Sequence, residues 1–237
     1  ALGDCPQGPP YHMEGDVFRH TVLVANGLLA DASSNLRWAA LFHDISKPEA
    51  RAEETISDGE KKVSFLRHAE MGVEKLTPIL NRLKFSNEEK QEIKWLVTNH
   101  IRILHEFANM RESKARGLAL SPYAKNLLAL AEADSRGSMP VNNHIAEENE
   151  KNLNYIRERY RSVLAHESEK KTEIDTVAKE TNGHAIISAY EKRHGRRPEG
   201  ELVGTLKARI LEEVHDKRIS DPEEARVIME HIIAESV

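Results

Sequence analysis

The sequence has very little cysteine and few aromatic residues. Among its 237 residues only Cys5 is a cysteine, and aromatic residues make up 5%. A single thiol cannot form an internal disulfide, so the composition fits a reducing compartment and a fold held together by a packed core. The scarcity of aromatics, together with frequent Ala, Leu, Glu, Lys and Arg, favours helices over sheets. We therefore predict an all-α protein.

Long apolar runs and an excess of positive charge are also missing. No run approaches the roughly 20 apolar residues that a membrane helix needs, and the chain opens without a basic and apolar leader. The net charge of −5 disfavours broad binding to nucleic acid, although the local basic cluster at 193–197 is compatible with contact to a phosphate. We expect a cytoplasmic protein without a membrane partner. Because the chain does not begin with Met, we also expect a processed, tagged or excised piece of a longer protein, whose natural chain would have room for a partner domain.

The most informative stretch is 39–48, where an apolar helical run ends in His43-Asp44 and Pro48 prevents its continuation. An imidazole nitrogen and a carboxylate oxygen are both metal ligands, and a carboxylate can bridge two cations. Taken alone, the pair is equally compatible with a hydrogen-bonded core histidine followed by a capping aspartate. Further ligands elsewhere in the chain are needed to separate these interpretations.

Polar residues also occupy the apolar stripes of four other predicted helices. They are His20, His68, His100 and Asp134. One inward histidine is usually a satisfied core residue, but a whole set of buried polar groups is costly unless its members share a ligand. We therefore predict a metal site formed by His20, His43, Asp44, His68, His100 and Asp134. Nitrogen and oxygen donors without a thiolate suit one or two divalent metals, namely Mn, Ni, Co, Fe or Zn, with Mg also compatible.

The rest of the chain supplies the predicted organisation. Residues 1–15 contain glycine and proline and predict a lead-in without a helix, and 49–63 predicts a surface loop that either closes over the site or merely connects helices. Ser121-Pro122 predicts a helix start, because proline is tolerated in the first helical position. A charged stretch at 142–171 predicts a long helix with one narrow apolar stripe. We divide the chain into a core at 1–140 and a helical C-terminal extension at 141–237.

The ordered set of six candidate ligands resembles the signature of the HD superfamily of metal-dependent phosphohydrolases, over about residues 11 to 140. Within that superfamily, the stretches 12–17 and 43–48 are similar to the HD region of bacterial tRNA nucleotidyltransferases and related RNA-end-processing proteins. Two features depart from that group. Ser46 stands where glycine is usual, and nothing in the chain matches a nucleotidyltransferase domain, so CCA addition is not implied.

The resemblance implies an HD-type helical bundle and roles for particular residues. The first metal would be held by His20, His43, Asp44 and Asp134, and the second by His68 and His100, with Asp44 bridging. Asp44 and Lys47 would be catalytic. The candidate substrate contacts are Lys47, His12, Arg67, Arg102 and Arg136. For the arginines the alternative is a surface ion pair, and for His12 it is an ordinary loop histidine.

The function expected from this resemblance is hydrolysis of 2′,3′-cyclic phosphodiesters or phosphomonoesters of nucleotides or RNA ends. An alternative is a di-iron oxygenase with the same fold, because a two-metal His/Asp site does not by itself distinguish hydrolysis from oxidation. A second alternative is a non-catalytic helical binding module. Lys47 and the nearby arginines favour a phosphate substrate, and release of phosphate without oxygen would separate the first two possibilities.

Overall fold

The computed structural model describes residues 2–55 and 61–236, and most of these residues are helical, which confirms the all-α prediction. One hairpin pairs β1 (Pro6–Gly8) with β2 (His12–Asp16), and another pairs β3 (Ala52–Thr55) with β4 (Lys61–Ser64). The helices are α1 (Val17–Gly27), α2 (Ser34–Phe42), α3 (Lys47–Ala50), α4 (His68–Arg82), α5 (Asn87–His105), α6 (Glu112–Ala119), α7 (Ala124–Gly137), α8 (Asn143–Glu180), α9 (Gly183–His194), α10 (Gly200–Asp216) and α11 (Pro222–Ala234).

Several helices begin where the sequence supplies a side-chain cap. Asp16 accepts a hydrogen bond from Arg19 N at the start of α1, and Ser33 accepts one from Leu36 N at the start of α2. Ser86 and Glu89 form a complete capping box before α5. These caps satisfy backbone N–H groups that have no partner within the helix, and they fix where each helix starts.

The chain divides into two compact units, Ala1–Val163 and Leu164–Val237, and the division falls within α8. In the first unit, α1 packs against α2 and α7, while α5 packs against α2, α4 and α7. Its core contains Val24, Leu36, Leu96, Leu127 and Leu130. The second unit has its own core between the end of α8 and α9 to α11, with Ile186, Tyr190, Ile210, Val214 and Ile232 among its buried residues. The predicted boundary at 140 lies just before α8 instead.

Two local predictions need correction, and one short helix was missed. The helix expected from Ser121-Pro122 begins at Ala124, because Ser121 to Tyr123 form a turn in which Tyr123 N donates to Ser121 Oγ. The short helix α6 was not predicted. The stretch expected to be a loop at 49–63 contains the end of α3 and the β3–β4 hairpin, while 56–60 lie outside the described residues. Within the described residues, no helix is both long enough and apolar enough to cross a membrane.

Candidate metal centre

The six side chains predicted as metal ligands lie together in the first unit. His20 comes from α1, His68 begins α4, His100 lies in α5, and Asp134 lies in α7, whereas His43 caps the end of α2 and Asp44 follows it. Their exposed fractions run from 0% for His20, His43 and His100 to 8% for Asp134. Separate helices therefore bring six polar side chains into one buried cluster.

Asp44 lies at the centre of this cluster and faces both sides of it. Its Oδ1 lies 3.3 Å from His68 Nε2 and 3.6 Å from His100 Nε2. Its Oδ2 lies 3.1 Å from His43 Nε2 and 3.8 Å from His20 Nε2. The two oxygens of one carboxylate thus face two different pairs of histidines.

Two ligand groups that share Asp44 can be defined from these distances. The donor atoms of His20, His43 and Asp44 lie within 4.8 Å of one another, as do those of Asp44, His68 and His100. Asp134 adjoins the first set, since its Oδ1 lies 3.0 Å from His20 Nε2 and 3.9 Å from His43 Nε2. We call His20, His43, Asp44 and Asp134 the His20 group, and Asp44, His68 and His100 the His68 group.

Three of the histidines are oriented by the main chain of their own elements. His43 Nδ1 lies 2.8 Å from the carbonyl oxygen of Ala40, His68 Nδ1 lies 2.7 Å from that of Phe65, and His100 Nδ1 lies 2.6 Å from that of Val97. Each carbonyl belongs to the residue three positions earlier. Because a carbonyl oxygen only accepts hydrogen bonds, Nδ1 must carry a proton, and Nε2 faces the cluster.

The donor set fits a divalent metal. His43 Nε2 and both Asp44 oxygens are buried and have no hydrogen-bond partner of good geometry, although charged groups lie close to them. Buried polar atoms without such partners are costly, and a cation at this position would satisfy several of them together. Imidazole nitrogen and carboxylate oxygen are ligands of catalytic metal sites. Asp44 is positioned so that it could serve both groups.

The electrostatics of the cluster keep its carboxylates ionised. Burial alone would raise the pKa of Asp44, but electrostatic interactions with His43 and Lys47 hold that pKa well below its ordinary value. Burial would likewise raise the pKa of Asp134, and the hydrogen bond with His20 lowers it instead. For His20 burial would lower the pKa, yet contacts with Asp134 and Glu14 raise it to about 10. The surroundings of His20 therefore favour its protonated form.

Lys47 reaches the cluster from α3. Its Nζ lies 2.7 Å from Asp44 Oδ2 and donates to Gln7 Oε1 at 2.6 Å, and it stands 5.3 Å from the centre of the Phe65 ring. The contact with Gln7 is a hydrogen bond, and the contact with Asp44 is an ion pair. The buried ammonium group thus borders the candidate metal centre.

The other predicted substrate contacts are more dispersed. His12 is half-buried, and its ring lies edge-on to His20 with the two centres 5.1 Å apart. Arg102 is bound by its own helix, since Nη1 donates to Asn99 Oδ1 at 2.9 Å and Nε lies 3.5 Å from Glu106 Oε2. Arg67 and Arg136 are exposed residues next to or near the ligands in sequence. For Arg102 the surface ion pair considered from the sequence is present.

Sequence reasoning missed two residues that border the cluster, Glu14 and Gln7. Glu14 is buried on β2, where its Oε1 lies 2.7 Å from His12 Nδ1 and 3.0 Å from His20 Nδ1. Gln7 is buried on β1 and lies between Lys47 and Glu14, since its Nε2 donates to Glu14 Oε1 at 3.5 Å. The alternation of a strand, which puts residues 12 and 14 on one face, could have pointed to Glu14.

The fold and the site define a helical protein with a buried His/Asp cluster, and comparison with known proteins assigns its family. The HD domain family matches residues 17–138. Over 132 residues the chain is 36% identical to the A-adding tRNA nucleotidyltransferase of Deinococcus radiodurans, a match that covers 54% of this chain and 29% of that protein. It is 28% identical over 112 residues to the multifunctional CCA protein of Acinetobacter baumannii, covering 47% of this chain and 25% of that protein. No solved structure gave a significant match.

The chain belongs to the HD domain family, because the family match covers half of its length. The resemblance to the HD region of tRNA nucleotidyltransferases is confirmed by the similar proteins. Family membership implies metal-dependent chemistry of the phosphohydrolase type. The matched region amounts to less than a third of the length of these relatives.

Proposed function

We propose that this chain is a metal-dependent phosphohydrolase that acts on 2′,3′-cyclic phosphodiesters or phosphomonoesters of nucleotides or RNA ends. The observation that carries the proposal is Asp44, whose two oxygens face separate sets of histidines at 3.1 to 3.8 Å. Such an arrangement suits two cations that share one carboxylate. The name of the Deinococcus radiodurans relative refers to tRNA, which supports an RNA end as substrate.

In this proposal the His20 group and the His68 group each hold one divalent cation, with Asp44 shared between them. Bound cations supply Lewis acidity, which favours ionisation of water and neutralises charge on phosphate oxygens. The protein's own contribution is mostly placement of the reacting groups. The main chain holds His43, His68 and His100 in fixed orientations, so little rearrangement is needed when ligands bind.

Lys47 is the proposed contact to the transferring phosphoryl group. Two of its N–H donors face Gln7 and Asp44, and the third is available to a phosphate oxygen. A buried cation contributes more to the stability of a charged transition state than an exposed one does, because water screens it less. His12, at the partly exposed side of the cluster, is the proposed second contact. Arg67, Arg102 and Arg136 are proposed to bind the substrate farther from phosphorus.

The proposal is tested by measuring phosphate release from 2′,3′-cyclic nucleotides, from 2′-, 3′- and 5′-monophosphates and from short RNAs with each kind of end. Assays are run with Mn, Ni, Co or Mg, both anaerobically and in air. Loss of one transition-state charge contact costs about 3 kcal/mol, so Lys47→Ala should lower turnover by about two orders of magnitude or more. Lys75→Ala is the matched control, because Lys75 Nζ contacts Ile45 O and Glu49 near the same turn.

Three outcomes would contradict the proposal. Oxygen uptake without phosphate release from any substrate would favour a di-iron oxygenase. Metal binding without any turnover would favour a non-catalytic binding module. Equal activity of Lys47→Ala and Lys75→Ala would show that Lys47 does not contact the transferring phosphoryl group.

A further inference from the structure

In each of the four histidines of the cluster, Nδ1 faces away from the centre of the cluster. The groups that contact this nitrogen differ. For His43, His68 and His100 the partner of Nδ1 is a main-chain carbonyl. His20 Nδ1 makes no hydrogen bond of good geometry, and its nearest charged group is the side chain of Glu14, whose Oε1 lies 3.0 Å away as an ion-pair contact. His20 is thus the histidine of this set whose Nδ1 faces a carboxylate instead of a backbone carbonyl.

Glu14 is firmly held in this position. Its side chain is 0% exposed, its Oε2 accepts a hydrogen bond from Met139 N at 2.9 Å, and Nδ1 of His12 lies 2.7 Å from its Oε1. A buried carboxylate costs several kcal/mol unless such partners compensate. These contacts hold the carboxylate of Glu14 in a fixed place behind the His20 ring.

The backbone around Glu14 also serves this placement. Gly15 follows it with φ of 117°, a region in which a side chain would be strained. The chain can therefore turn directly from β2 into α1, which carries His20 one turn later. Val17 N donates to the carbonyl oxygen of Cys5 at 3.0 Å, so the hairpin is tied to the start of the same helix.

We propose that Glu14 is a positioning residue for the His20 group, and that it makes this group the tighter of the two metal sites. Its carboxylate holds the His20 ring so that Nε2 faces Asp44 and Asp134. A carboxylate partner also raises the basicity of a ligating imidazole more than a neutral carbonyl does. In the His68 group, Nδ1 of each histidine contacts a main-chain carbonyl instead. This inference rests on the metal ligands assigned under the proposed function.

The two groups are separated experimentally by removing one ligand at a time. In a His68→Ala background only the His20 group is complete, and in a His20→Ala background only the His68 group is. Binding of Mn²⁺ to metal-free protein is measured in each background by titration calorimetry and by the loss of the free Mn²⁺ electron paramagnetic resonance signal. Loss of an outer-shell carboxylate typically lowers metal affinity about 10- to 100-fold. We expect Glu14→Gln to lower the Mn²⁺ affinity by this factor in the His68→Ala background. In the His20→Ala background we expect the Mn²⁺ affinity to change by less than about threefold.

Glu92→Gln is the matched control for loss of a half-buried, hydrogen-bonded carboxylate. Glu92 accepts hydrogen bonds from Asn35 at 2.7 Å and from Asn126 at 2.6 Å. The Glu92→Gln variant should leave the Mn²⁺ affinity unchanged in both backgrounds. Glu14→Asp keeps the negative charge but moves it one methylene farther from His20, so it should lower the Mn²⁺ affinity less than Glu14→Gln does. If Glu14→Gln does not fold, the Mn²⁺ affinity of Glu14→Asp still tests the inference.

The outcomes separate this inference from the function on which it depends. Equal weakening of Mn²⁺ binding in both backgrounds, or none in either, would overturn the positioning role of Glu14 while leaving the metal ligands in place. A wild-type protein that binds no Mn²⁺, Co²⁺, Ni²⁺ or Zn²⁺ would overturn the metal assignment and this inference together.

Discussion

Replacing Gly137 with alanine should loosen the contact between α1 and α7 that holds His20 against Asp134. A Cβ atom at this position would lie 2.7 Å from Val24 Cγ2 and 3.2 Å from Val24 N, so the backbone of α1 would have to move. Overpacking of this kind costs about 1–3 kcal/mol. Alanine recovers at most about 1 kcal/mol of helix propensity, and less at Gly137 because it is the last residue of α7. We expect a net loss of about 1–2 kcal/mol in the free energy of unfolding.

The measurement is urea unfolding of the metal-free protein followed by tryptophan fluorescence. Both tryptophans, Trp38 and Trp95, belong to the first compact unit, so the signal reports that unit alone. Gly27→Ala is the matched control at the same helix contact, since its Cβ would meet Ala133 Cβ at an ordinary 3.8 Å. Gly137→Ala should also bind metal more weakly than Gly27→Ala. Equal unfolding midpoints for the two variants would refute the reasoning.

Three further outcomes are expected. Asp44→Asn should abolish most metal binding, measured as metal per chain after dialysis, because both ligand groups share Asp44; retention of two metals would contradict this. His68→Ala and His100→Ala should each leave a folded protein with one bound metal and weak hydrolysis, and unchanged stoichiometry in both would remove them from the site. Because the pKa of His20 rises from 6.5 to about 10 on folding, its contribution to stability is fully present below pH 6.5 and is lost as the pH rises towards 10. The metal-free protein should therefore unfold at lower urea at pH 9.5 than at pH 7, and His20→Gln should lessen this difference.

The sequence predicts the helical parts of this fold well because their signals are local. Ser86 and Glu89 mark the start of α5 within four residues of each other, and Pro222 marks that of α11. The candidate ligands could be found for a related reason, since a histidine such as His100 at the end of an apolar stripe contradicts the pattern around it. Both kinds of signal depend on residues close together in the chain.

Features that depend on distant partners could not be predicted. Strand alternation could have placed Glu14 on the face of His12, but its burial depends on Met139 N, which cannot be identified from the residues around position 14. The β1–β2 and β3–β4 pairings are short, and although Asp58-Gly59 stands between β3 and β4 in the sequence, the charged residues of these strands lack the alternating apolar pattern that would mark a hairpin. The helix α6 has few apolar positions, so its periodicity is weak. Tertiary contacts decide each of these cases, as they often do for short elements.

The single thiol of this protein has a useful position. Cys5 is 2% exposed, its carbonyl oxygen accepts the hydrogen bond from Val17 N, and burial raises the pKa of its thiol. A thiol reagent can therefore react only when the segment around Cys5 opens, and the rate of labelling reports the free energy of that local opening. The same segment leads into the hairpin that carries Glu14. The rate of Cys5 labelling therefore reports how often the part of the structure next to the candidate metal centre opens, and no engineered probe is needed.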